Sequence, residues 1–378
     1  MAHYDLLVIG SGPAGQKAAI QAAKLRKRVA IIEKEPVVGG ASVNTGTLPS
    51  KTLKDAIYHL HGFKLRAFTS MSYSLNKNLT LRDLMARKDQ VIKNELAVIT
   101  NQLERNDVEI IHGTASFVDA HTLNVARQHG HVGTLQAPFI VIATGSRPRR
   151  DEGIPFNDLT VCDSDSILFT ENIPKTMTVM GGGIIGCEYA SMFAPFGIKV
   201  TLVERRTELL RFVDQEVVQA LIYHMRTNGV LMRMGEEIAG VSLDARGRVV
   251  TSLKSGKTVV SDILLYAMGR IANTDELNLA AIGLTTDKQS QLKVNEYYQT
   301  DVPHIYAAGD VIGFPSLAST SMEQGRLASC HAFKVAQSTL PKLMPYGIYT
   351  IPEISTVGKN EEELTAAGIP YEVGRAFY

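Results

Sequence analysis

Two glycine-rich turns carry the first chemical signal in this chain. Gly10-Ser11-Gly12-Pro13-Ala14-Gly15 follows an apolar run at residues 4–9 and precedes an alanine-rich stretch at 16–25. A second apolar run at 28–32 then ends on Glu33. The same order recurs further along. Residues 176–180 lead into Gly181-Gly182-Gly183-Ile184-Ile185-Gly186, a helical stretch at 188–193 stopped by Pro195 and Gly197, a run at 199–203, and Glu204. In both copies the acid stands twenty-three positions after the first glycine. This pattern suits anion binding by backbone. The first glycine allows a tight turn, the second lets the main chain approach a pyrophosphate, and the third lets helix and strand pack closely. Free N–H groups and the positive end of the helix dipole then face the phosphates, and the acid accepts hydrogen bonds from ribose hydroxyls. One such turn also serves plain packing. Two at matched spacing point to two dinucleotide sites.

The elements that must position these turns can be read from the same patterns. Strand, turn, helix and strand in succession is the α/β arrangement of a parallel sheet. Two more apolar runs, at 139–142 and 304–308, end in Ala143-Thr144-Gly145 and Gly309-Asp310. The first and last of these runs flank the second glycine unit, so the first domain is expected to be split. Its parts are 1–150 and 269–345, with 151–268 inserted. Arg147, Arg149 and Arg150 are expected in a solvated crossover loop. Lys24, Arg26, Lys27 and Arg28 end a helix, where cations suit the dipole. Residues 361–367 read as a helix and 371–374 as a strand.

Composition narrows the function classes. The chain has 378 residues, 45% hydrophobic and 20% charged, as in ordinary globular proteins. Lys+Arg is 39 against Asp+Glu 38, a formal net charge of +1, so no general attraction for nucleic acid or anionic lipid is expected. No run of apolar residues is long enough to span a membrane. The first strand-like run starts at Tyr4, which leaves no room for a signal peptide. The three cysteines, Cys162, Cys187 and Cys330, form no C-x-x-C pair and read as buried small hydrophobes in a reducing, cytoplasmic setting. His59/His61 and His129/His131 lack an adjacent acid or sulfur and are expected at the surface, so no metal site is expected.

The sequence resembles the two-dinucleotide-binding flavoprotein disulfide reductases over essentially its whole length. The stretches that carry the likeness are 9–15, Gly46-Thr-Leu-Pro-Ser-Lys51, Ile142-Ala-Thr-Gly145, Gly183-Ile-Ile-Gly-Cys-Glu188, Tyr306-Ala-Ala-Gly-Asp310 and Ile348-Tyr-Thr-Ile-Pro-Glu353. The resemblance implies two Rossmann-like domains of three-layer β/β/α type, the first for FAD held non-covalently and the second for a nicotinamide nucleotide. Residues 346–378 match the opening of the family's α+β interface domain, on which its homodimer or higher oligomer rests. The implied FAD contacts are Gly10, Gly12, Pro13, Gly15, Glu33, Gly40, Lys51, Ala115, Thr144, Gly145, Gly309 and Asp310, with Asp310 at the ribityl and phosphate region. The implied nucleotide contacts are Gly181, Gly183, Ile184, Gly186, Glu204, Arg205, Arg206 and Gly269. Ile184 stands where some relatives gate the nicotinamide pocket with a tyrosine. Lys51 and Glu188 match the family's catalytic pair beside flavin N5.

One departure redirects the chemistry. Disulfide reductases carry cysteines where this chain has Ser42 and Thr47. Hydroxyls form neither a disulfide nor a thiolate adduct, which closes dithiol chemistry. Within the family the sequence is then most similar to members that pass hydride between NAD(H) and NADP(H). The expected activity is ping-pong transfer between NADPH and NAD+ through FAD. The alternatives are an NAD(P)H diaphorase or quinone-type reductase, and a flavin-binding protein with little turnover.

Overall fold

A computed structural model describes residues 2–66, 81–127, 132–170, 173–336 and 343–376. The pair His129/His131 and the His61 side chain lie outside the described residues, and His59 is exposed. Packing divides the chain into two compact units. The first comprises Met1–Thr52, Ala86–Pro148 and Arg270–Leu340, and the second Leu53–Met85, Arg149–Gly269 and Pro341–Tyr378. Residues 346–378, expected to open a further domain, fall within the second unit.

The first unit is built on a five-stranded parallel sheet. Its spatial order is Ile305–Ala307, Phe139–Ile142, Leu6–Ile9, Val29–Glu33 and Glu109–His112. The inner strands are apolar on both faces because both faces are covered, whereas the edge strand Glu109–His112 is largely exposed. Leu6 and Val8 pack with Ala14, Ala18, Ala19 and Ala22 of the helix Pro13–Lys24. Leu7 and Ile9 point the other way, onto Ala115, Phe117, Leu123 and Val125 of an antiparallel sheet. Period-two alternation in one strand thus joins all three layers. The alanine-rich helix also lies close to the helix Ala318–Ala332. A Cβ on Gly325 would come within 2.0 Å of the Ala14 carbonyl oxygen.

The second unit repeats this plan. Val161–Asp163, Ile263–Tyr266, Thr176–Met180, Lys199–Glu204 and Leu231–Met234 form a parallel sheet in that order. Met177, Val179 and Leu265 share a core with Cys187, Ala190 and Phe193 of the helix Ile184–Phe196. Met180, Leu264 and Tyr266 face the three-stranded antiparallel sheet Ile238–Leu243, Val249–Leu253 and Thr258–Ser261. Each Val, Leu, Met and Phe side chain among these contributes about 1.5–3 kcal/mol when fully buried.

Three local expectations are corrected. The helix after the second glycine turn continues through Pro195 to Phe196 and is capped by Gly197 in the left-handed region. Proline costs little in a last turn where only one intrahelical bond is lost, and glycine at the cap accepts the positive φ. Arg147 does not lie in a solvated loop: Ser146–Pro148 pairs antiparallel with Arg270–Ala272, and the Arg147 guanidinium donates to Asn273 Oδ1 and Asp275 Oδ1. Arg149 and Arg150 follow the strand Ser146–Pro148 in an exposed loop, as expected, where Arg150 donates to Asp158 and the buried Asp163. Residues 371–374 form no strand and are exposed, since no neighbouring strand offers them a ladder. The helix Glu361–Ala366 is present and carries an Asn360–Glu363 capping box.

Candidate dinucleotide-binding sites

The two glycine turns have the same geometry, residue for residue. A Cβ built on Gly15 would meet the Gly10 carbonyl oxygen at 1.9 Å, and one on Gly186 the Gly181 oxygen at 1.8 Å. Gly10 and Gly181 have φ near +100° and +107°, and a Cβ on either would lie 2.5 or 2.6 Å from a backbone oxygen, of Ala143 or Ala267. These four glycines are therefore required by the fold itself.

The middle glycines differ. Gly12 has φ −66° and ψ −178°, and Gly183 φ −77° and ψ −173°, values open to any residue. Among the described residues, a Cβ on either would have nothing within 4 Å. Each is the N-cap of a helix of twelve or thirteen residues, and neither helix receives a side-chain cap. Pro13 occupies the first helical position in the first unit, where its missing N–H costs nothing. Ile184 is the corresponding residue in the second and packs against that unit's core. Nothing within the fold demands glycine at 12 or 183.

Both acids sit over their turns in one arrangement. Glu33 accepts from Ser11 N at 2.9 Å and from Glu35 N at 2.9 Å. Glu204 accepts from Gly182 N at 2.6 Å and from Arg206 N at 2.8 Å. Glu33 gains a further bond from Ser11 Oγ at 2.5 Å, and that hydroxyl in turn accepts from Gly39 N at 3.1 Å. Ser11 thereby ties Glu33 to the turn that starts the helix Gly40–Asn44. Gly40 packs against Gly12, its Cβ position 2.9 Å from Gly12 Cα. Arg205 and Arg206 are exposed directly after Glu204.

Other residues named from sequence gather around the first turn. Gly113 N donates to Glu33 O at 2.8 Å, which brings the strand Thr114–Asp119 and buried Ala115 alongside. The Thr144 carbonyl accepts from Asn273 Nδ2 at 2.9 Å, and Gly145 O from Asn273 N at 3.0 Å. Thr144 Oγ1 is buried and has no partner among the described residues. Asp310 accepts from Ser146 Oγ at 2.8 Å, and Gly309 N donates to Gln324 Oε1 at 2.9 Å. In the second unit Gly269 O accepts from Arg149 N at 3.0 Å. Ser11, Ser146, Asn273 and Gln324 were not foreseen. Only Ser11 carried a signal, by its place inside the glycine turn.

Lys51 is the fifth residue of the helix Thr47–Arg66 and is half-buried. Glu188 lies on the helix Ile184–Phe196, and its Oε1 accepts from Tyr349 N at 2.8 Å. Ser42 is half-buried in the helix Gly40–Asn44 and Thr47 is exposed. All three cysteines are buried and unpaired. Burial pushes the Cys162 thiol up to about 11 and the Cys187 thiol up to about 12, and raises Cys330 as well. Thiolate is the reactive form. Iodoacetamide at neutral pH should therefore label none of them in the native protein and all three after denaturation. Mass spectrometry that found Cys162 or Cys187 alkylated in the native protein would contradict this.

The profile of the pyridine nucleotide-disulphide oxidoreductase family matches residues 4–325. The chain belongs to this family. It is 49% identical over 379 aligned positions to a protein of Mycobacterium bovis described as soluble pyridine nucleotide transhydrogenase, covering 100% of this chain and 81% of that one. A protein of the same description from Colwellia psychrerythraea is 46% identical over 99% of this chain and 80% of its own. Among solved structures, LpdA of Mycobacterium tuberculosis superposes with a TM-score of 0.88 at 26% identity, covering 97% of this chain and 80% of that one. The HOCl-induced flavoprotein disulfide reductase RclA of Escherichia coli, solved as a Cu(II) complex, gives 0.86 at 28% identity over the same shares. The chain thus spans about four fifths of the length of these relatives.

Membership in this oxidoreductase family implies binding of FAD and of a nicotinamide nucleotide, and the residues present fit both. Each middle glycine leaves open space before an uncapped helix N-terminus, and Thr144 Oγ1 is a buried polar atom awaiting a partner beside the first turn. Among the described residues no helix is long and apolar enough to cross a membrane, and no group of three or more His, Cys, Asp and Glu could hold a metal ion.

Proposed function

We propose that this chain is an FAD-dependent pyridine nucleotide transhydrogenase acting on the small molecules NAD(H) and NADP(H) in the cytoplasm. The observation that carries this reading is the duplicated cradle, in which glycine at 12 and 183 has no explanation inside the fold. When bound, FAD would supply a two-electron acceptor that takes hydride from one nicotinamide nucleotide and returns it to another.

In this reading the first unit holds FAD. The N-terminus of the helix Pro13–Lys24 binds its pyrophosphate, Glu33 the adenosine ribose, and Asp310 the ribityl region, with Gly40, Ala115, Thr144, Gly145 and Gly309 lining the path. The second unit holds the nicotinamide nucleotide through Gly181, Gly183, Ile184, Gly186, Glu204 and Gly269. Lys51 supplies positive charge where negative charge develops on hydride transfer, and Glu188 serves to hold that lysine. Hydroxyls at Ser42 and Thr47 leave no dithiol to divert the electrons. A single nucleotide site used in turn by both substrates predicts ping-pong kinetics. Initial rates with NADPH and NAD+ varied together, without dioxygen or quinone, should give parallel double-reciprocal lines. Intersecting lines, or no turnover until a quinone is added, would contradict the proposal.

Nucleotide choice falls to Glu204, Arg205 and Arg206. A carboxylate about 4 Å from a 2′-phosphate costs up to about 4 kcal/mol before screening, and two exposed guanidinium groups beside it offset that repulsion. Glu204→Ala should raise the ratio of kcat/KM for NADPH to that for NADH. The Arg205→Ala/Arg206→Ala double variant should lower it, with a smaller effect at high salt. A ratio that moves the same way in both variants would remove these residues from the selection.

A further inference from the structure

The stretch Ile348-Tyr-Thr-Ile-Pro-Glu353, singled out in the sequence, has no role in the function so far. It is the loop of a hairpin between the strands Tyr346–Ile348 and Ile354–Thr356. Ile348 and Ile354 are buried in one core with Leu53 and Ile57 of the helix Thr47–Arg66. The loop lies on the helix that carries Glu188 and bonds it twice. Tyr349 N donates to Glu188 Oε1 at 2.8 Å, and Ile351 N donates to Ser191 Oγ at 3.0 Å. Ser191 Oγ in turn donates to the Glu188 carbonyl at 3.0 Å.

Lys54 holds this loop down. It is 7% exposed, an unusual burial for lysine. Its ammonium pairs with the Glu353 carboxylate and lies 5.7 Å from the centre of the Tyr349 ring. A buried ammonium must be paired, because the alternative is an uncompensated charge in a poorly solvated place. Lifting the loop would strip Lys54 of both the carboxylate and the ring face. The same movement would withdraw the Tyr349 N–H from Glu188.

We propose that Lys54 is a positioning residue for Glu188, acting through Glu353 and Tyr349 to keep the 349–353 loop seated so that the Tyr349 N–H fixes the carboxylate. This rests on the reading of Glu188 as part of the hydride-transfer machinery. Lys54→Met removes the charge and keeps the volume; Lys54→Arg keeps the charge; Glu353→Gln breaks the pair from its exposed end. Amide hydrogen exchange of the peptide covering 346–354 should speed up about tenfold or more in Lys54→Met and Glu353→Gln, and should return towards wild type in Lys54→Arg. In the flavin-loaded enzyme, the hydride-transfer rate at saturating nucleotide should fall about tenfold in the first two variants, while KM, flavin content and Tm hold. Lys54→Arg should recover most of that rate. Unchanged exchange in both Lys54→Met and Glu353→Gln would overturn the proposal. So would a variant that loses rate, flavin and Tm together with no recovery in Lys54→Arg. Should Lys54→Met fail to accumulate, Glu353→Gln carries the same test. The exchange measurement needs no turnover. A wild-type protein without hydride transfer would therefore fail the transhydrogenase reading, while the exchange still decides whether Lys54 seats the loop.

Discussion

Gly12→Val should yield a folded protein that purifies without flavin. The backbone at Gly12 is extended and its Cβ direction is empty, so valine strains nothing in the fold and stability should change by less than about 1 kcal/mol. The added side chain would instead stand before the uncapped helix N-terminus, where the pyrophosphate must approach. Two comparisons separate ligand loss from misfolding. Gly15→Val places its Cβ 1.9 Å from the Gly10 carbonyl oxygen, between a strand end and a helix that cannot part. That variant should lose about 3 kcal/mol or more of stability, or fail to accumulate. Gly183→Val should fold and keep its flavin, yet raise KM for nicotinamide nucleotides about 100-fold, equivalent to about 2.7 kcal/mol of binding. Absorbance and thermal unfolding of the purified variants read flavin content and stability, and steady-state kinetics read the KM of Gly183→Val. A Gly12→Val protein that retains stoichiometric FAD would refute the assignment of the first unit.

Lys51→Ala and Glu188→Ala should each slow flavin reduction by about 10–100-fold, the loss of about 1.4–3 kcal/mol of charge stabilisation. The double variant should lose little more than the slower single, because residues that serve one step as a unit are not additive. Stopped-flow reduction by NADPH under anaerobic conditions measures this directly. Rates unchanged in both single variants would take Lys51 and Glu188 out of the mechanism. Additive losses would show that they act separately.

What could be read from the sequence depended on how local its cause was. The two glycine turns, the strands that feed them and the acids that close them are fixed by short-range sterics. Each lies within one strand–helix–strand unit, so residue type and spacing were enough. The helix through Pro195 was read too short because proline is judged a breaker, whereas in a final turn capped by Gly197 it removes only one bond. Arg147 was read as loop because its partner strand, Arg270–Ala272, lies more than a hundred residues away. A similar distance hid Asn273 behind Thr144 and Tyr349 behind Glu188, and Gln324 sits on a separate helix from Gly309. No local pattern marks a residue whose role is a single hydrogen bond to a distant backbone. The strand expected at 371–374 failed for the converse reason: β-forming residues do not make a strand without a neighbour to pair with.

In the proposed reaction one nucleotide leaves its hydride on the protein's flavin and a different nucleotide collects it. The direct measurement is a pair of anaerobic half-reactions on purified protein. NADPH is added in the absence of NAD+, NADP+ and excess NADPH are removed by gel filtration, and NAD+ is then supplied alone. The flavin should bleach in the first step, stay bleached through filtration, and recover its colour with formation of one NADH per flavin in the second. Flavin that bleaches with NADPH but recovers only on addition of dioxygen or a quinone, with no NADH formed, would contradict it.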